Sequence, residues 1–303
     1  MGFDFSLVDV FTDRPFGGNP LAVFCDQPEL PDALMQQIAR EFNLSETVFI
    51  VRPRDPRALR RLRIFTPACE LPFAGHPTIG SVHVLVDEGI AHIPATGGEF
   101  AVECELGLVP IKVQRRAEGP PFLQLTTSRL PELRKEVPSR AELARLTSLN
   151  ENDIVVGRDI AEAWSCGVPF LFVPVRDREA LGRASPDSAA WKQILGSAWA
   201  SQAFVFCRDP ELATSHVRAR MFAPQYGISE DPATGVAAAA FAGYLAARET
   251  QRTGTLRWIV EQGFEMGRPS LLHVEADVAQ GNVVAVRVGG TAVRMSVGTL
   301  TVP

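Results

Sequence analysis

Three side chains capable of acid–base chemistry lie beside turns of this 303-residue chain. Glu46 comes just before an apolar segment that predicts a strand, and His76 and Asp231 each precede a proline that begins a small-residue segment. A buried carboxylate with a raised pKa can take up and return a proton near neutral pH. The three residues therefore predict proton transfer, although a solvated glutamate, a loop histidine and a plain helix cap would each explain one of them.

The two prolines predict helix starts. Aspartate before proline is typical of a helix N-terminus, so we expect Asp231 to cap a helix running through 236–247. His76 is expected to take the same place before a helix from Thr78 to about Glu88. Helix N-termini attract anions, which predicts a carboxylate or oxyanion site, with two ordinary capped helices as the alternative. Asn19, in a Gly-Gly-Asn-Pro turn, either brings its amide near a ligand or only shapes the turn.

The second half of the chain repeats the pattern of the first. Six short segments recur in the same order at offsets between 149 and 158, which predicts an internal duplication. The pairs are 18–24 with 167–173, 37–38 with 193–194, 45–49 with 201–205, 63–67 with 220–224, 76–80 with 231–235, and 100–103 with 258–261.

The duplication predicts an α+β fold of two similar domains, each a curved, mostly antiparallel sheet around a central helix. We place the domains at 1–118 and 119–303, with a C-terminal strand that crosses to the first domain as an option. Ligands commonly bind in clefts between such domains. Gln202 stands where the first half has Glu46, as expected for one proton-transfer group in an asymmetric site.

Composition excludes several classes of function. The net charge is −5 without a long basic run, which argues against nucleic-acid partners and anionic membranes. No apolar run approaches the roughly 18 residues of a membrane helix, and the N-terminus lacks the basic start of a signal peptide. Five scattered cysteines predict reduced thiols in the cytoplasm, and scattered histidines predict no metal site. Nucleotide-binding and serine-hydrolase motifs are absent.

Five motifs together resemble the PhzF family of phenazine-biosynthesis-like isomerases. They read VDVFTDRPFGGNPLAVF, NLSETVFI, FTPACELPFAGHPTIG, DPATGVA and EQGFEMGRPS, and the resemblance runs from about residue 4 to the C-terminus. It implies the diaminopimelate epimerase-like fold and a homodimeric isomerase that needs no cofactor. The best-known member moves a proton from C3 to C1 of trans-2,3-dihydro-3-hydroxyanthranilate.

The resemblance also implies roles for single residues. The family's acid–base glutamate falls on Glu46, its histidine on His76 and its aspartate on Asp231. A substrate carboxylate would lie near the backbone of Gly75 and Gly235, and the substrate-binding set is Asn19, Gly75, Gly235 and Val236. The family pattern has a serine at 236, so valine there changes which substrate fits.

Two other functions stay open at this stage. One is an amino-acid or hydroxy-acid racemase or epimerase, and the other is a non-catalytic protein that binds a small molecule. A mechanism with two thiols is disfavoured, because Cys69 precedes the first predicted helix start and no cysteine lies near the second.

Overall fold

The computed structural model describes residues 2–25 and 30–302, and the chain divides into two compact units. The first unit comprises Met1–Ser128 and Gly289–Pro303, and the second comprises Arg129–Val288. The division follows Ser128, whereas the sequence suggests a boundary after residue 118. The C-terminal strand, whose domain the sequence leaves open, lies in the first unit. Within the described residues, no helix has the length and apolar character needed to cross a membrane.

The first unit contains nine of the described strands and two helices. They are β1 (Gly2–Val10), β2 (Asn19–Phe24), α1 (Asp32–Phe42), β3 (Thr47–Val51), β4 (Arg61–Phe65), β5 (Glu70–Leu71), α2 (Gly75–Asp87), β6 (Gly98–Cys104), β7 (Gly107–Gln114), β8 (Phe122–Thr126) and, at the C-terminal end of the chain, β18 (Ala292–Thr301).

The strands of the first unit surround α2. Strand β1 pairs antiparallel with both β2 and β18, β2 pairs parallel with β3, and the ladder continues through β4 to β6, β7 and β8. Helix α2 contacts β1, β2, β3, β4, β8 and β18, and every residue from its start to Leu85 is buried. Gly80 permits the close packing, because a Cβ there would lie 2.7 Å from Val10 and 2.6 Å from Leu21.

Helix α1 packs on the face of this sheet opposite to α2. Only one side of α1 is apolar, and that side faces the sheet. Met35, Ile38 and Ala39 face the sheet and join an apolar cluster with Phe24 and Phe49. The helix ends at Asn43, whose left-handed backbone (φ 49°) turns the chain into β3.

The second unit has the same plan with more helices on the outer face. Its elements are β9 (Glu132–Arg134), α3 (Arg140–Leu146), β10 (Glu162–Ser165), β11 (Pro169–Pro174), α4 (Arg178–Arg183), α5 (Ser188–Leu195), β12 (Gln202–Cys207), β13 (Val217–Ala223), β14 (Ile228–Asp231), α6 (Gly235–Ala246), β15 (Gly254–Gln262), β16 (Ser270–Ala279) and β17 (Asn282–Gly290), the last of which ends where the chain returns to the first unit.

Helix α6 is the central helix of the second unit. It contacts β9, β10, β11 and β16, and all its residues except Val236 and Ala246 are buried. Phe241 and Tyr244 stack at 5.3 Å between ring centroids and pack against aromatic rings of the sheet. A helix of alanine, glycine and apolar residues is buried on every side, as the sequence predicts. The α+β fold of two similar units, each with a mostly antiparallel sheet around a helix, is confirmed.

The two units share their pairing pattern. In each, a parallel pair (β2–β3, β11–β12) is followed by two antiparallel pairs and by a second parallel pair (β4–β6, β13–β15). Both central helices begin at a glycine that lies four residues after the end of a short strand. The internal duplication inferred from short sequence echoes is therefore visible as repeated topology.

The structure corrects one pair of the predicted duplication. Leu71 and Asp231 each end the short strand, and Gly75 and Gly235 each begin the central helix. His76 therefore corresponds to Val236, and Asp231 corresponds to Leu71. The equivalence of His76 with Asp231 is wrong by five residues, because the shared proline and glycine spacing matched two different parts of the same loop and helix.

Candidate active site

Glu46 stands at the entrance to β3, as the sequence predicts. The turn after Asn43 leads the chain to this position, and the Glu46 side chain is about one-eighth exposed. The next residue, Thr47, is fully buried and lies opposite Ala22 of β2. Glu46 is thus carried on a rigid parallel pair of strands, with its carboxyl group largely withdrawn from water.

Asn19 is the first residue of β2 and is completely buried. The loop before it is shaped by two features, the left-handed backbone of Gly18 (φ 64°) and a hydrogen bond from the Phe16 N–H to the Asp9 carboxylate at 2.9 Å. Asn19 then pairs with Val10 in the β1–β2 ladder. The Gly-Gly-Asn-Pro turn therefore does more than reverse the chain, because it places the amide of Asn19 inside the unit.

His76 is the second residue of α2 and is 3% exposed. Its Nδ1 lies 3.3 Å from Nδ2 of Asn19, and its Nε2 lies 3.5 Å from Oε2 of Glu46. The structure thus brings together Asn19, Glu46 and His76, which are spread over 57 residues of sequence. The prediction that His76 caps the helix is wrong, since Ala74 holds the cap position and makes no side-chain cap bond.

The hydrogen bond from Asn19 determines where the His76 ring carries its proton. An amide nitrogen can only donate, so Nδ1 accepts and the ring hydrogen is on Nε2, which faces the Glu46 carboxyl group. Burial lowers the pKa of His76 to about 3, because a charged ring would lose its hydration. The ring is therefore neutral near pH 7. Its contact with Glu46 is that of an N–H with a carboxyl group and not an ion pair.

Asp231 lies in the second unit, at the end of β14, and is 5% exposed. The prediction that it caps α6 is wrong, because the helix begins four residues later and Thr234 holds the cap position. Asp231 instead belongs to the short strand β14, where it pairs with Met221 of β13. Its carboxylate accepts a 2.5 Å hydrogen bond from the Thr234 hydroxyl. Gly235 begins α6 and is buried, and Val236 follows it half-buried.

Sequence reasoning missed two polar side chains around Asp231. Thr234 and Gln262 are both buried and hydrogen-bonded to the loop that carries Asp231. The available signal was the EQGFEMGRPS segment, which contains Gln262 and is one of the five motifs that carry the family resemblance. Over residues 2–25 and 30–302, no group of three or more His, Cys, Asp and Glu side chains is placed to hold a metal ion.

Comparison with known proteins shows the general class to which this protein belongs. A curated relative from Mesorhizobium japonicum, named an uncharacterized isomerase, is 40% identical over 301 residues and covers 98% of both chains. The trans-2,3-dihydro-3-hydroxyanthranilate isomerase of Pseudomonas aeruginosa is 33% identical over 299 residues, which is 96% of this chain and 97% of the relative. The protein is accordingly an isomerase, and the alternative of a non-catalytic binding protein is not supported.

The family follows from a model match and a solved structure. The model described as phenazine biosynthesis-like protein matches residues 8–298. The crystal structure of a PhzF-family protein from Bacillus anthracis superposes with a TM-score of 0.90 at 26% identity, covering all of both chains. The chain belongs to the PhzC-PhzF family and has the diaminopimelate epimerase-like fold.

Proposed function

We propose that Glu46 is the general acid–base of an isomerase that moves a proton between two carbons of a small carboxylate-bearing substrate. The observation that carries the proposal is the arrangement of Asn19, His76 and Glu46, in which a buried neutral imidazole directs its N–H at the glutamate. A carboxyl group of restricted hydration next to a fixed donor is suited to proton transfer at an acidic carbon.

The proton balance needs one group only. Glu46 takes a proton from one carbon of the substrate, and the bonding electrons delocalise as an enolate. It then returns that proton to another carbon, so substrate and product are isomers and the enzyme ends as it began. His76, neutral and with its hydrogen on Nε2, presents that N–H to Glu46 with 3.5 Å between Nε2 and Oε2, and the ring stays uncharged. Nothing in this transfer calls for a redox or group-transfer cofactor.

The remaining site residues are assigned by their chemistry. The first turn of α2 offers the N–H groups of Gly75 and His76 and has no side-chain cap, which suits a substrate carboxylate. Asn19 keeps the ring of His76 in its tautomer. In the second unit we assign a catalytic role to Asp231 and substrate-binding roles to Gly235 and Val236 at the start of α6.

We infer the nature of the substrate from one relative and from one departure from the family pattern. The P. aeruginosa relative is named for trans-2,3-dihydro-3-hydroxyanthranilate, so we propose a carboxylate-bearing compound of that kind. Val236 stands where the family pattern has serine, and it is half-buried. A missing hydroxyl removes one hydrogen bond, so the preferred substrate lacks the polar group that the serine would contact.

The test is the variant Glu46→Gln, which keeps the shape of the side chain and removes its basicity. With trans-2,3-dihydro-3-hydroxyanthranilate and related carboxylates in deuterated water, we expect turnover to fall at least about a thousandfold, as loss of a general base typically costs. Product formation and deuterium incorporation are followed by proton NMR. The matched control is Glu41→Gln on the exposed side of α1, which should keep the wild-type rate.

Two outcomes would contradict the assignment. A Glu46→Gln enzyme with near wild-type turnover would show that another group is the base. Deuterium at a stereocentre, with loss of optical activity and no shift of a double bond, would show a racemase or epimerase in place of this isomerase.

We further propose that the protein works in the cytoplasm as a homodimer, in a pathway such as phenazine biosynthesis. Its five cysteines are reduced thiols, which suits a reducing compartment. Dimer and pathway are supported by the family alone. Light scattering after gel filtration checks the dimer, and a mass near that of one 33.0 kDa chain would contradict it.

A further inference from the structure

The motif Glu261-Gln-Gly joins the end of β15 to the loop that carries Asp231. Gln262 is completely buried, and both the nitrogen and the oxygen of its side-chain amide hydrogen-bond to that loop. Its Nε2 donates to the backbone oxygen of Asp231 at 2.7 Å and to the hydroxyl of Thr234 at 3.0 Å. Its Oε1 accepts from the Thr234 N–H at 3.0 Å. A side chain so occupied holds residues 231–234 in one conformation.

The hydrogen positions in this network are determined by the donors. Because Nε2 of Gln262 can only donate, the Thr234 oxygen accepts from it, and the single hydroxyl hydrogen of Thr234 is left for Oδ2 of Asp231. Charged acceptors make the stronger and shorter hydrogen bonds, and this one is 2.5 Å long. The network therefore aims a donor at the Asp231 carboxylate and fixes its rotamer.

The backbone of the same loop is clamped from β16. The hydroxyl of Ser270, which is fully buried, lies 3.0 Å from the backbone oxygens of both Pro232 and Arg268 and shares its one hydrogen between them. Gly263 packs so closely that a Cβ at that position would lie 2.5 Å from the Pro232 oxygen. Gly263 and Ser270 belong to the EQGFEMGRPS segment, so this segment as a whole supports the loop.

The first unit shows that the fold does not need this network. At the positions of Asp231 and Thr234 it has Leu71 and Ala74, and the residue after the paired Glu103 is Cys104 where the second unit has Gln262. Burial raises the pKa of the Cys104 thiol to about 12, so it is an uncharged core residue. The same loop and helix start thus form without this network, with the Thr78 hydroxyl donating to the Ala74 oxygen at 2.7 Å. The Asp–Thr–Gln set of the second unit has no equivalent there.

We propose that Thr234 and Gln262 are positioning residues that orient the Asp231 carboxylate for the reaction. This inference rests on the catalytic role of Asp231 in the proposed function. Neither residue is assigned contact with the substrate, and both act through Asp231.

The first test is structural and needs no substrate. In a crystal structure of Thr234→Val, which keeps the shape and removes the hydroxyl, we expect the Asp231 carboxylate to leave its present rotamer. Gln262→Met is the second variant, in case the first fails to fold. The control is Thr255→Val, because Thr255 donates to Asp277 at 2.7 Å in the same unit, away from the loop. An Asp231 side chain unchanged in both variants would overturn the proposal.

The second test is kinetic, with trans-2,3-dihydro-3-hydroxyanthranilate as the probe. We expect Thr234→Val to lower kcat about tenfold to a hundredfold, as small misplacements of a reacting group do. Thr234→Ser should restore kcat, because it restores the hydroxyl, and Thr255→Val should leave it unchanged. On an Asp231→Asn background, Thr234→Val should cost almost nothing more, since the residue it orients is already lost.

The outcomes separate this inference from the proposed function. If Asp231→Asn keeps wild-type kcat, the catalytic role of Asp231 fails and this inference fails with it. If Asp231→Asn loses activity while Thr234→Val and Gln262→Met keep theirs, only the positioning role is overturned. Full additivity of Thr234→Val and Asp231→Asn would also overturn it, because the two residues would then act separately.

Discussion

At the scale of single residues, the proposed site in the first unit depends on keeping a histidine neutral. A protonated His76 beside Glu46 would form an ion pair, which would hold the carboxylate charged and weaken it as a base. Burial prevents this by lowering the pKa of His76 to about 3. Asn19 determines the tautomer of the ring, because its amide donates to Nδ1 and the ring hydrogen is therefore on Nε2. Two neighbours thus determine the charge and the hydrogen position of one ring.

A neutral buried histidine makes folding stability depend on pH. The pKa of His76 is about 3 in the folded protein and near 6.5 in an unfolded chain, so between these values only the unfolded state binds the proton. Lowering the pH therefore favours unfolding. Between pH 6 and pH 4 we expect wild-type protein to lose about 2 kcal/mol more unfolding free energy than His76→Gln, measured by urea titration.

Two features of this comparison isolate His76. Burial also lowers the pKa of His83, but His83 is present in both proteins and its contribution cancels. His92→Gln, at an exposed position after α2, should follow the wild-type curve. Parallel curves for wild type and His76→Gln would show that His76 already takes up its proton in the folded state.

At the scale of elements, the loop between β1 and β2 places Asn19. Gly18→Ala should destabilise the protein by about 3 kcal/mol, because alanine at φ 64° is strained and its Cβ would lie 2.3 Å from the Val10 oxygen. Gly89→Ala is the matched control, since φ is 73° there but a Cβ would meet no described atom within 4 Å. Gly89→Ala should lower the free energy of unfolding only by the backbone strain of about 1 kcal/mol.

Thermal and urea unfolding measure both glycine variants. Activity separates them further, because a displaced Asn19 no longer holds the His76 tautomer in Gly18→Ala, whereas Gly89→Ala leaves the site intact. Equal loss of stability in the two variants would mean that the contact with Val10 imposes no constraint.

The helix starts show how far sequence patterns predict elements. The buried small-residue helix α6 was predictable from composition alone, and so was the end of α2 near Glu88, which Gly89 follows with a left-handed backbone (φ 73°). The place of Asp231 in a strand was not predictable, because Asp-Pro favours a helix cap locally while β13 pairs with the aspartate as a strand. Tertiary pairing overrides the local preference, and it moves the helix start to Gly235.

The site itself was predictable by residue type but not by contact. Glu46, His76 and Asn19 each lie in or beside a recognisable turn motif of the sequence, yet the Asn19–His76 contact spans 57 residues and depends on how β1, β2 and α2 pack together. Gln262 reaches Thr234 across 28 residues for the same reason. Sequence spacing carries no information on such contacts without an established strand register.

At the scale of the whole molecule, duplication provides two copies of one scaffold with different polar residues. Each copy is an internal control for the other. Asn19, Glu46 and His76 in the first unit correspond to Val168, Gln202 and Val236, by the parallel strand registers and the helix starts. The polar site of each unit is absent from the other, so neither site is a requirement of the fold.

Residues that occur in both copies should serve folding, and one glutamate pair makes this testable. Glu103 accepts from the N–H groups of Arg54 and Asp55 at 2.7 and 2.9 Å. Glu261, completely buried, accepts from those of Glu211 and Leu212 at 2.8 and 2.7 Å. Each also lies 3.5 Å from an arginine, Arg61 or Arg218. Both close the turn before the second strand of the repeated hairpin.

Replacing either glutamate by glutamine should therefore loosen its own turn. A hydrogen bond to a charged acceptor is worth about 2 kcal/mol, so amide hydrogen exchange in the turn should accelerate roughly thirtyfold. Glu103→Gln should affect the amides of Arg54 and Asp55, and Glu261→Gln those of Glu211 and Leu212. Exposed Glu118→Gln should change neither set. Unchanged exchange in both turns would show that their amides are protected by the ladder alone, and the shared glutamates would then need a role outside folding.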